Sequence, residues 1–305
     1  MRQINRKILI FAAILAAILI VAGCQQQTAA QAGYYKFTGD KAIEAKFLEG
    51  SPTSSELDTY QKDENIETVV ELVNRLPEEV PAGQVKVRLT GDAAIQTFFE
   101  GAHEATNPKI FPIETGTGVA TPEEVEVGPV RYVGELTTKV SKKITGQYCY
   151  SMPVKTKANL FYTNKETDIG TNLPAGSNPP STVQVIQVQQ GTVNKADDGK
   201  GELRFKVTIK NMGKGKLIPS LDDCFKYRER TEREEITLEA KGAYPVTCED
   251  NPVKLSRTDQ SKIVDCKVTG VDMTNLNAEP SELSLTLKGF AYEEDLEPVT
   301  IWLEP

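Results

Sequence analysis

Strict alternation of apolar and polar residues limits the fold of this chain more than any other sequence feature. The alternation is clearest in Glu202–Asn211, and it recurs in Gly83–Gly91, Ser281–Lys288 and Val299–Leu303. A period of two places every second side chain on the same face of a β-strand, so that one face enters a core and the other meets water. Helical periodicity is scarce by comparison. The sequence therefore predicts an all-β protein built from half-buried strands.

Shorter apolar runs predict further strands, separated by turn-forming residues. These runs are Ile43–Leu48, Ile66–Val73, Val130–Val140, Ile144–Tyr150, Lys157–Tyr162, Val183–Val188, Ile236–Ala240, Val253–Leu255 and Ile263–Val268. Many short strands broken by Gly, Pro, Asn and Asp are typical of β-sandwiches. The segment 164–180 is rich in Pro, Gly, Asn and Thr and predicts a linker. We expect one sandwich domain at 34–163 and a second at 181–305.

The first residues carry the marks of an export signal. Arg2, Arg6 and Lys7 precede an apolar run at 8–22 of about 15 residues, which is shorter than the roughly 20 that span a bilayer. This pattern predicts a signal peptide at 1–23, followed by a polar, flexible tether at 24–33. Since positive charges stay on the inner side of the membrane, the rest of the chain is expected outside.

The end of the apolar run, Val21-Ala22-Gly23-Cys24, resembles the lipobox of prokaryotic lipoproteins. The resemblance implies cleavage before Cys24 and lipidation of its thiol. It also implies attachment to the outer face of the cytoplasmic membrane or the cell surface. The alternative is an uncleaved signal anchor in which Cys24 is an incidental thiol. Either form attaches the protein to the membrane through its N-terminus.

The charge of the chain restricts its partners. The whole sequence has a net charge of −8. Residues 1–23 contain three basic and no acidic residues, so 32 basic and 43 acidic residues remain after cleavage, a net charge of −11. Such a surface repels nucleic acid and anionic lipid headgroups, and it favours solubility or cationic partners. We therefore expect no nucleic-acid partner.

Four cysteines remain when Cys24 is set aside, namely Cys149, Cys224, Cys248 and Cys266. An even number in an exported chain permits two disulfides in three connectivities. Cys248 and Cys266 lie in one predicted domain and would close a loop of about 18 residues, worth roughly 3 kcal/mol in the chain-entropy model. Cys149 and Cys224 lie in different predicted domains. They are candidates for a second disulfide or for buried free thiols.

No catalytic or metal-binding pattern stands out. The single histidine, His103, lacks a partner motif and is expected in a surface loop. Gly213-Lys214-Gly215-Lys216 lacks the Ser or Thr of a phosphate-binding loop and is expected to form an exposed turn. Carboxylate pairs such as Asp222-Asp223 lack calcium-loop spacing, although a calcium site at a sandwich end is an open alternative. We expect no cofactor, no metal and no enzymatic activity.

The stretch Leu203–Lys216 carries a resemblance to known modules. Val207, Ile209, Asn211 and Gly213 match the V-x-V-x-N-x-G strand and turn of immunoglobulin-like domains in prokaryotic surface proteins, including CARDB-type adhesion domains. The whole chain also resembles archaeal two-domain surface lipoproteins with a Cys-Tyr segment late in the first domain, here Tyr148-Cys149-Tyr150. The resemblance implies two tandem immunoglobulin-like β-sandwiches.

These observations favour a non-enzymatic, extracellular lipoprotein of the cell envelope. Its sandwiches would bind an envelope protein or surface polymer through end loops or an exposed sheet edge, in adhesion or as a scaffold. The alternative is a lipoprotein subunit that captures a solute or assists an envelope complex. The aromatic pairs Tyr34-Tyr35 and Phe98-Phe99 are considered for contact, with core packing favoured for the second pair.

Overall fold

The computed structural model describes residues 35–36, 38–91, 98–114, 117–226, 234–255 and 260–305. The predicted signal peptide 1–23, the tether 24–33 and the lipidation site Cys24 lie outside the described residues. Strands make up nearly all of the regular structure, as the alternating pattern predicts. The chain contains two short 3-10 helices, Glu166–Asp168 and Leu221–Asp223, within this part.

Within the described residues, eleven strands precede residue 163. They are β1 (Ile43–Phe47), β2 (Tyr60–Gln61), β3 (Asn65–Ile66), β4 (Val69–Asn74), β5 (Val85–Gly91), β6 (Phe99–Gly101), β7 (Glu104–Thr106), β8 (Glu123–Glu126), β9 (Val130–Tyr132), β10 (Val140–Tyr150) and β11 (Val154–Tyr162).

Ten strands follow. They are β12 (Val183–Lys195), β13 (Gly201–Asn211), β14 (Lys216–Ile218), β15 (Glu234–Lys241), β16 (Val246–Cys248), β17 (Val253–Leu255), β18 (Ser261–Val271), β19 (Asn277–Lys288), β20 (Ala291–Asp295) and β21 (Val299–Glu304).

The longest strands form two four-stranded sheets, with strand orders β11-β19-β15-β17 and β12-β13-β18-β16. Along β13 every second residue is buried, so one face of its sheet enters a core. Most buried apolar residues of both sheets belong to one hydrophobic cluster, which also includes buried residues of the other sheets. We call these two sheets the paired-sheet region, and their arrangement is sandwich-like.

The other strands form a seven-stranded sheet around β10 and two three-stranded sheets. One side of β10 pairs with β5, and the other side pairs with β21 near Val140 and with β20 near Tyr150. The three-stranded sheets have the orders β1-β4-β8 and β3-β9-β6. We call these three sheets the mixed-sheet region.

The sheets do not divide at the predicted linker, 164–180. Before it, β10 pairs with β20 and β21, and β11 pairs with β19, all of which follow it. The linker itself lies along β11, because the backbone amides of Asn159 and Lys157 donate to the carbonyls of Asn172 and Ser177. Residues 35–305 form one compact unit. The polar composition of 164–180 thus corresponds to a segment that covers a strand edge.

A candidate contact surface

Both candidate cysteine pairs form disulfides. Cys248 and Cys266 face each other on the neighbouring strands β16 and β18. Cys149 on β10 bonds to Cys224, with the two Cα atoms 6.1 Å apart. The second pair is possible because β14 pairs with β20, which lies beside β10. The segment after β14 is therefore brought across to the mixed-sheet region.

The Cys149–Cys224 bond holds a short segment on the outer face of the seven-stranded sheet. Phe225 packs with this disulfide in a small apolar cluster, and its backbone amide donates to the buried carboxylate of Glu293 at 2.7 Å. The Arg88 guanidinium lies 4.8 Å from the centre of the Phe225 ring. A cation over an aromatic face is favourable. The segment is thus fixed by a covalent bond, a hydrogen bond and a ring contact.

The glycines of Gly213-Lys214-Gly215 serve packing. The Gly215 amide donates to the hydroxyl of buried Tyr292 at 2.6 Å. An added Cβ on Gly215 would lie 2.2 Å from the Glu293 carbonyl oxygen, and one on Gly213 would lie 2.0 Å from the Tyr292 hydroxyl. The turn therefore needs glycine because it lies directly against β20, and nothing in its geometry suggests phosphate binding.

The carboxylates near the C-terminal strands are also structural. Glu294 on β20 accepts a hydrogen bond from the Tyr148 hydroxyl at 2.8 Å and pairs with Lys41 at 3.0 Å. Burial raises the pKa of Tyr148, and the nearby Glu294 charge raises it further. The hydroxyl therefore remains a proton donor to Glu294. Within the described ranges, no group of three or more His, Cys, Asp or Glu side chains could hold a metal ion.

His103 lies between β6 and β7 and is half-buried. Its carbonyl accepts a hydrogen bond from the Leu89 amide at 2.8 Å, and its buried Nδ1 has no hydrogen-bond partner. Among the residues that the structure describes, no Ser or Cys side chain is hydrogen-bonded to its ring. Of the aromatic pair considered above, Phe99 is buried and Phe98 is partly exposed, and both rings contact Tyr132.

Two loops at one end of the mixed-sheet region form the best candidate for a contact surface. We call residues 75–84 and 107–114 the loop platform. The loops join at an isolated antiparallel bridge between Val80 and Ile110. Further backbone bonds run from Gly83 to Asn107 and from Ile113 to Leu76. Backbone hydrogen bonds therefore join the two loops in the way that they join strands of a sheet, although neither loop contains a regular strand.

Two buried asparagines fix the platform to the sheets. Asn74 accepts from the Leu76 amide at 2.8 Å, and it donates to the carbonyls of Glu78 at 2.8 Å and Phe111 at 3.1 Å. Asn107 accepts from the Val85 amide at 2.7 Å. Asparagine suits this role because its amide both donates and accepts. Each asparagine satisfies backbone groups that the loops leave unpaired.

The platform presents apolar side chains to solvent. Phe111 is 52% exposed, and Val119, which lies just outside the platform and whose carbonyl accepts from the Glu114 amide, is 59% exposed. The Lys109 ammonium lies 5.3 Å from the centre of the Phe111 ring. An exposed aromatic ring on a fixed backbone is the type of residue that dominates protein interfaces.

A shallow groove lies at the Glu78 side of the platform. The link is Glu78, whose carbonyl shares the Asn74 amide with Phe111 and whose carboxylate pairs with Lys155 at 2.9 Å. Beyond this pair, apolar and aromatic side chains line the groove, among them Tyr35, Pro77, Met152, Pro153 and Pro179. The exposed apolar surface of the platform thus extends toward the start of β11.

Strand edges are less suitable for contact, because side-chain amides close two of them. Gln190 exchanges hydrogen bonds with both the amide and the carbonyl of Phe161 at 2.9 and 2.8 Å. The Asn251 side chain likewise accepts from the Leu238 amide at 3.1 Å and donates to the Leu238 carbonyl at 2.7 Å. At these positions the backbone groups that would bind an added strand are already satisfied.

The sequence pattern missed the residues of the platform. The neighbouring Val119 has no distinguishing sequence context, but Phe111 lies between Pro108 and Pro112. An aromatic residue flanked by prolines has little chance of lying inside a strand, and this signal could have marked it as a loop aromatic. Asn74 and Asn107 could not be identified from sequence alone, because their bonds to Phe111 and Val85 join residues 37 and 22 positions apart.

Comparison with known protein families gives no match, and comparison with curated proteins gives none. Among the described residues, no helix is long and apolar enough to cross a membrane.

Proposed function

We propose that this chain is a non-enzymatic lipoprotein of the cell envelope that binds another surface protein or polymer, in adhesion or as a scaffold. Lipid at Cys24 would attach it to the membrane, and immunoglobulin-like β-sandwiches would be the displayed domains. The observation that carries the proposal is the loop platform, which holds Phe111 in solvent on a backbone fixed by buried asparagines.

The two disulfides support the extracellular setting. Disulfides persist in oxidising compartments and are rare in the reducing cytosol. Both pairs are buried or half-buried in folded sheets, so they belong to the framework of the molecule. The N-terminal sequence pattern points to the same side of the membrane.

The fixed platform supports binding through end loops. Association loses less conformational entropy when the contact residues are ordered beforehand. Asn74 orders the backbone on both sides of the contact, at Glu78 and Phe111. A partner with an apolar pocket could therefore bury the Phe111 ring at small ordering cost. Loops on a rigid scaffold commonly carry binding residues.

Cross-linking of intact cells, followed by mass spectrometry, tests this proposal. We expect reproducible links from Lys109, the lysine of the platform, to one envelope protein. Phe111→Ser should abolish most of these links, because truncating a central aromatic costs about 2 kcal/mol or more of binding energy. The fold should survive, because the Phe111 backbone carbonyl still accepts from Asn74.

Leu57→Ser is the matched control. Leu57 is 92% exposed in the loop before β2. β2 pairs with β21 beside the Val140 end of β10, whereas the platform adjoins the Tyr150 end. Equal losses of cross-links in the two variants, or links unaffected by Phe111→Ser, would refute a contact at the platform. Self-links alone, with a small molecule retained by the purified protein, would instead favour the solute-capturing lipoprotein.

A further inference from the structure

The exposed face of β13 carries a polar strip that contains three cationic side chains. Its outward positions alternate with the buried core residues, and the strip consists of Arg204, Lys206, Thr208 and Lys210. Three glutamines of β12 lie beside it in register, with Gln189 opposite Lys206, Gln187 opposite Thr208 and Gln184 opposite Lys210. We call these seven residues the β13 strip.

A depression opens at one end of this strip. The register between β12 and β13 shifts between Gln190 and Val193, where β12 bulges. Gly191 leaves open space there, since an added Cβ would come no closer than 3.9 Å to another heavy atom. The surrounding side chains are Gln189, Arg204, Lys206 and Asp265.

The cations of the strip are only partly neutralised. The Arg204 side chain is 82% exposed and bonds to Glu202 at 2.8 Å, while Lys206 lies 3.9 Å from Asp265. Lys210 has no ion-pair partner in the part of the chain that the structure describes. Of the two acidic partners, Asp265 lies on β18, on the side toward β16, and Glu202 lies near the start of β13. The exposed Arg204 guanidinium and Lys210 therefore remain open to an anionic ligand, on a chain whose net charge is −8.

The chemistry of the strip fits a polymer that carries both acidic groups and hydroxyls. Guanidinium and ammonium groups bind carboxylate or sulfate oxygens through charge-assisted hydrogen bonds. The amides of Gln187 and Gln189 and the Thr208 hydroxyl can donate to and accept from hydroxyl groups, whereas Gln184 donates to the Gly39 and Ser181 carbonyls and offers only its side-chain oxygen. Exposed Ile263 lies opposite Thr208 in the same row and offers an apolar contact. Outward positions two residues apart on a strand recur about every 6.8 Å, which suits an extended ligand.

We propose that the β13 strip binds an acidic polysaccharide, whose chain runs along β13. Nucleic acid is disfavoured, because the strip contains no aromatic side chain on which bases could stack. An acidic peptide would satisfy the cations but leave the row of glutamine amides with fewer hydroxyl partners. The inference names the polymer class within the proposed function, and it relies on that function only for the extracellular setting.

Binding of the full chain in detergent to immobilised polygalacturonate tests the proposal. The double variant Arg204→Gln with Lys206→Gln should bind at least about tenfold more weakly, because two charge-assisted contacts are lost. Binding should also fall as salt is raised, and neutral dextran should not compete.

A charge-matched double variant on the other four-stranded sheet provides the control. Lys254→Gln with Lys288→Gln removes two cations that pair with Glu235 and Glu239 of β15. It should retain binding within about twofold, since exposed pairs there contribute little. Equal losses in the two double variants would overturn the proposal, because binding would then follow net charge alone.

Two further outcomes would also overturn it. One is the absence of binding to polygalacturonate, and the other is tighter binding of poly-glutamate or of a thymidine oligonucleotide. Phe111→Ser should leave polysaccharide binding unchanged, because Phe111 lies in the mixed-sheet region. Failure of the proposed contact at the platform and failure of polysaccharide binding at the β13 strip can therefore be distinguished.

Discussion

The two regions of the molecule satisfy their backbones in different ways. In the paired-sheet region, β12, β13, β18 and β19 have 11 to 13 residues each, so most backbone groups bond within sheets. In the mixed-sheet region, strands such as β2 and β3 have only two residues. Much of that backbone lies in loops, and buried asparagines bind the groups that sheets would otherwise satisfy.

This difference determines which kind of surface each proposed contact uses. Long regular strands create a flat face, and the β13 strip is a repeated side-chain pattern on that face. Short strands leave more of the backbone in loops, which buried asparagines hold in place. The platform is formed by such loops and presents a single exposed ring. Amide side chains appear in both regions, but Gln190 and Asn251 close sheet edges, whereas Asn74 and Asn107 organise loops.

The largest expected effect separates the two disulfides. Removing Cys149–Cys224 by a double alanine substitution should lower the free energy of unfolding by about 4.5 kcal/mol, because the bond closes a loop of 75 residues. Removing Cys248–Cys266, which closes 18 residues, should cost about 3 kcal/mol. Urea denaturation measures both values. A larger loss for the Cys248–Cys266 pair would contradict the chain-entropy ranking.

Asn74→Ala tests how far the loops depend on one amide. The substitution leaves one amide and two carbonyls without their partner, so we expect a loss of about 3 kcal/mol. Hydrogen exchange should show faster exchange at the Leu76 amide than in the wild type. Gln190→Ala is the comparison at a sheet edge; it frees the buried amide and carbonyl of Phe161, and it should likewise cost about 3 kcal/mol. Unchanged exchange at Leu76 would show that the platform holds without Asn74.

Gly215→Ala should have the smallest of these effects. The new methyl group would overlap the Glu293 carbonyl oxygen, and such overpacking costs about 2 kcal/mol. Gly191→Ala is the control, because its nearest neighbour lies at 3.9 Å, and its unfolding free energy should remain within about 0.5 kcal/mol of the wild type. Thermal unfolding followed by circular dichroism compares them. Equal stability of the two variants would mean that the turn can move away from β20.

The sequence predicted the paired-sheet region well, and the reason is physical. Strands such as β13 and β19 are buried on one face, so their alternation records burial directly. Strands of two or three residues, such as β2 and β6, are too short to show a period. Their existence depends on distant pairing partners, which local sequence does not encode.

The same reasoning explains the segment 164–180 and the contact surfaces. A stretch that covers the edge of β11 has the polar composition of a free linker, since both lie at the surface. The cations of β13 were visible as the polar half of its alternation, but their alignment with the glutamines of β12 depends on register. The alternating pattern did not distinguish Phe111 from the other aromatic residues as a contact residue.

The position of β20 and β21 beside β10 has a consequence for the order in which the chain is made. β10 ends at Tyr150, and its partners begin at Ala291, about 140 residues later. At ribosomal rates of about 5 to 20 residues per second, β10 waits roughly 7 to 28 seconds with only β5 beside it. During that interval the other edge of β10 has no partner, and Cys149 cannot form its native disulfide until Cys224 emerges. The first half of the molecule is therefore completed by the last strands to be synthesised.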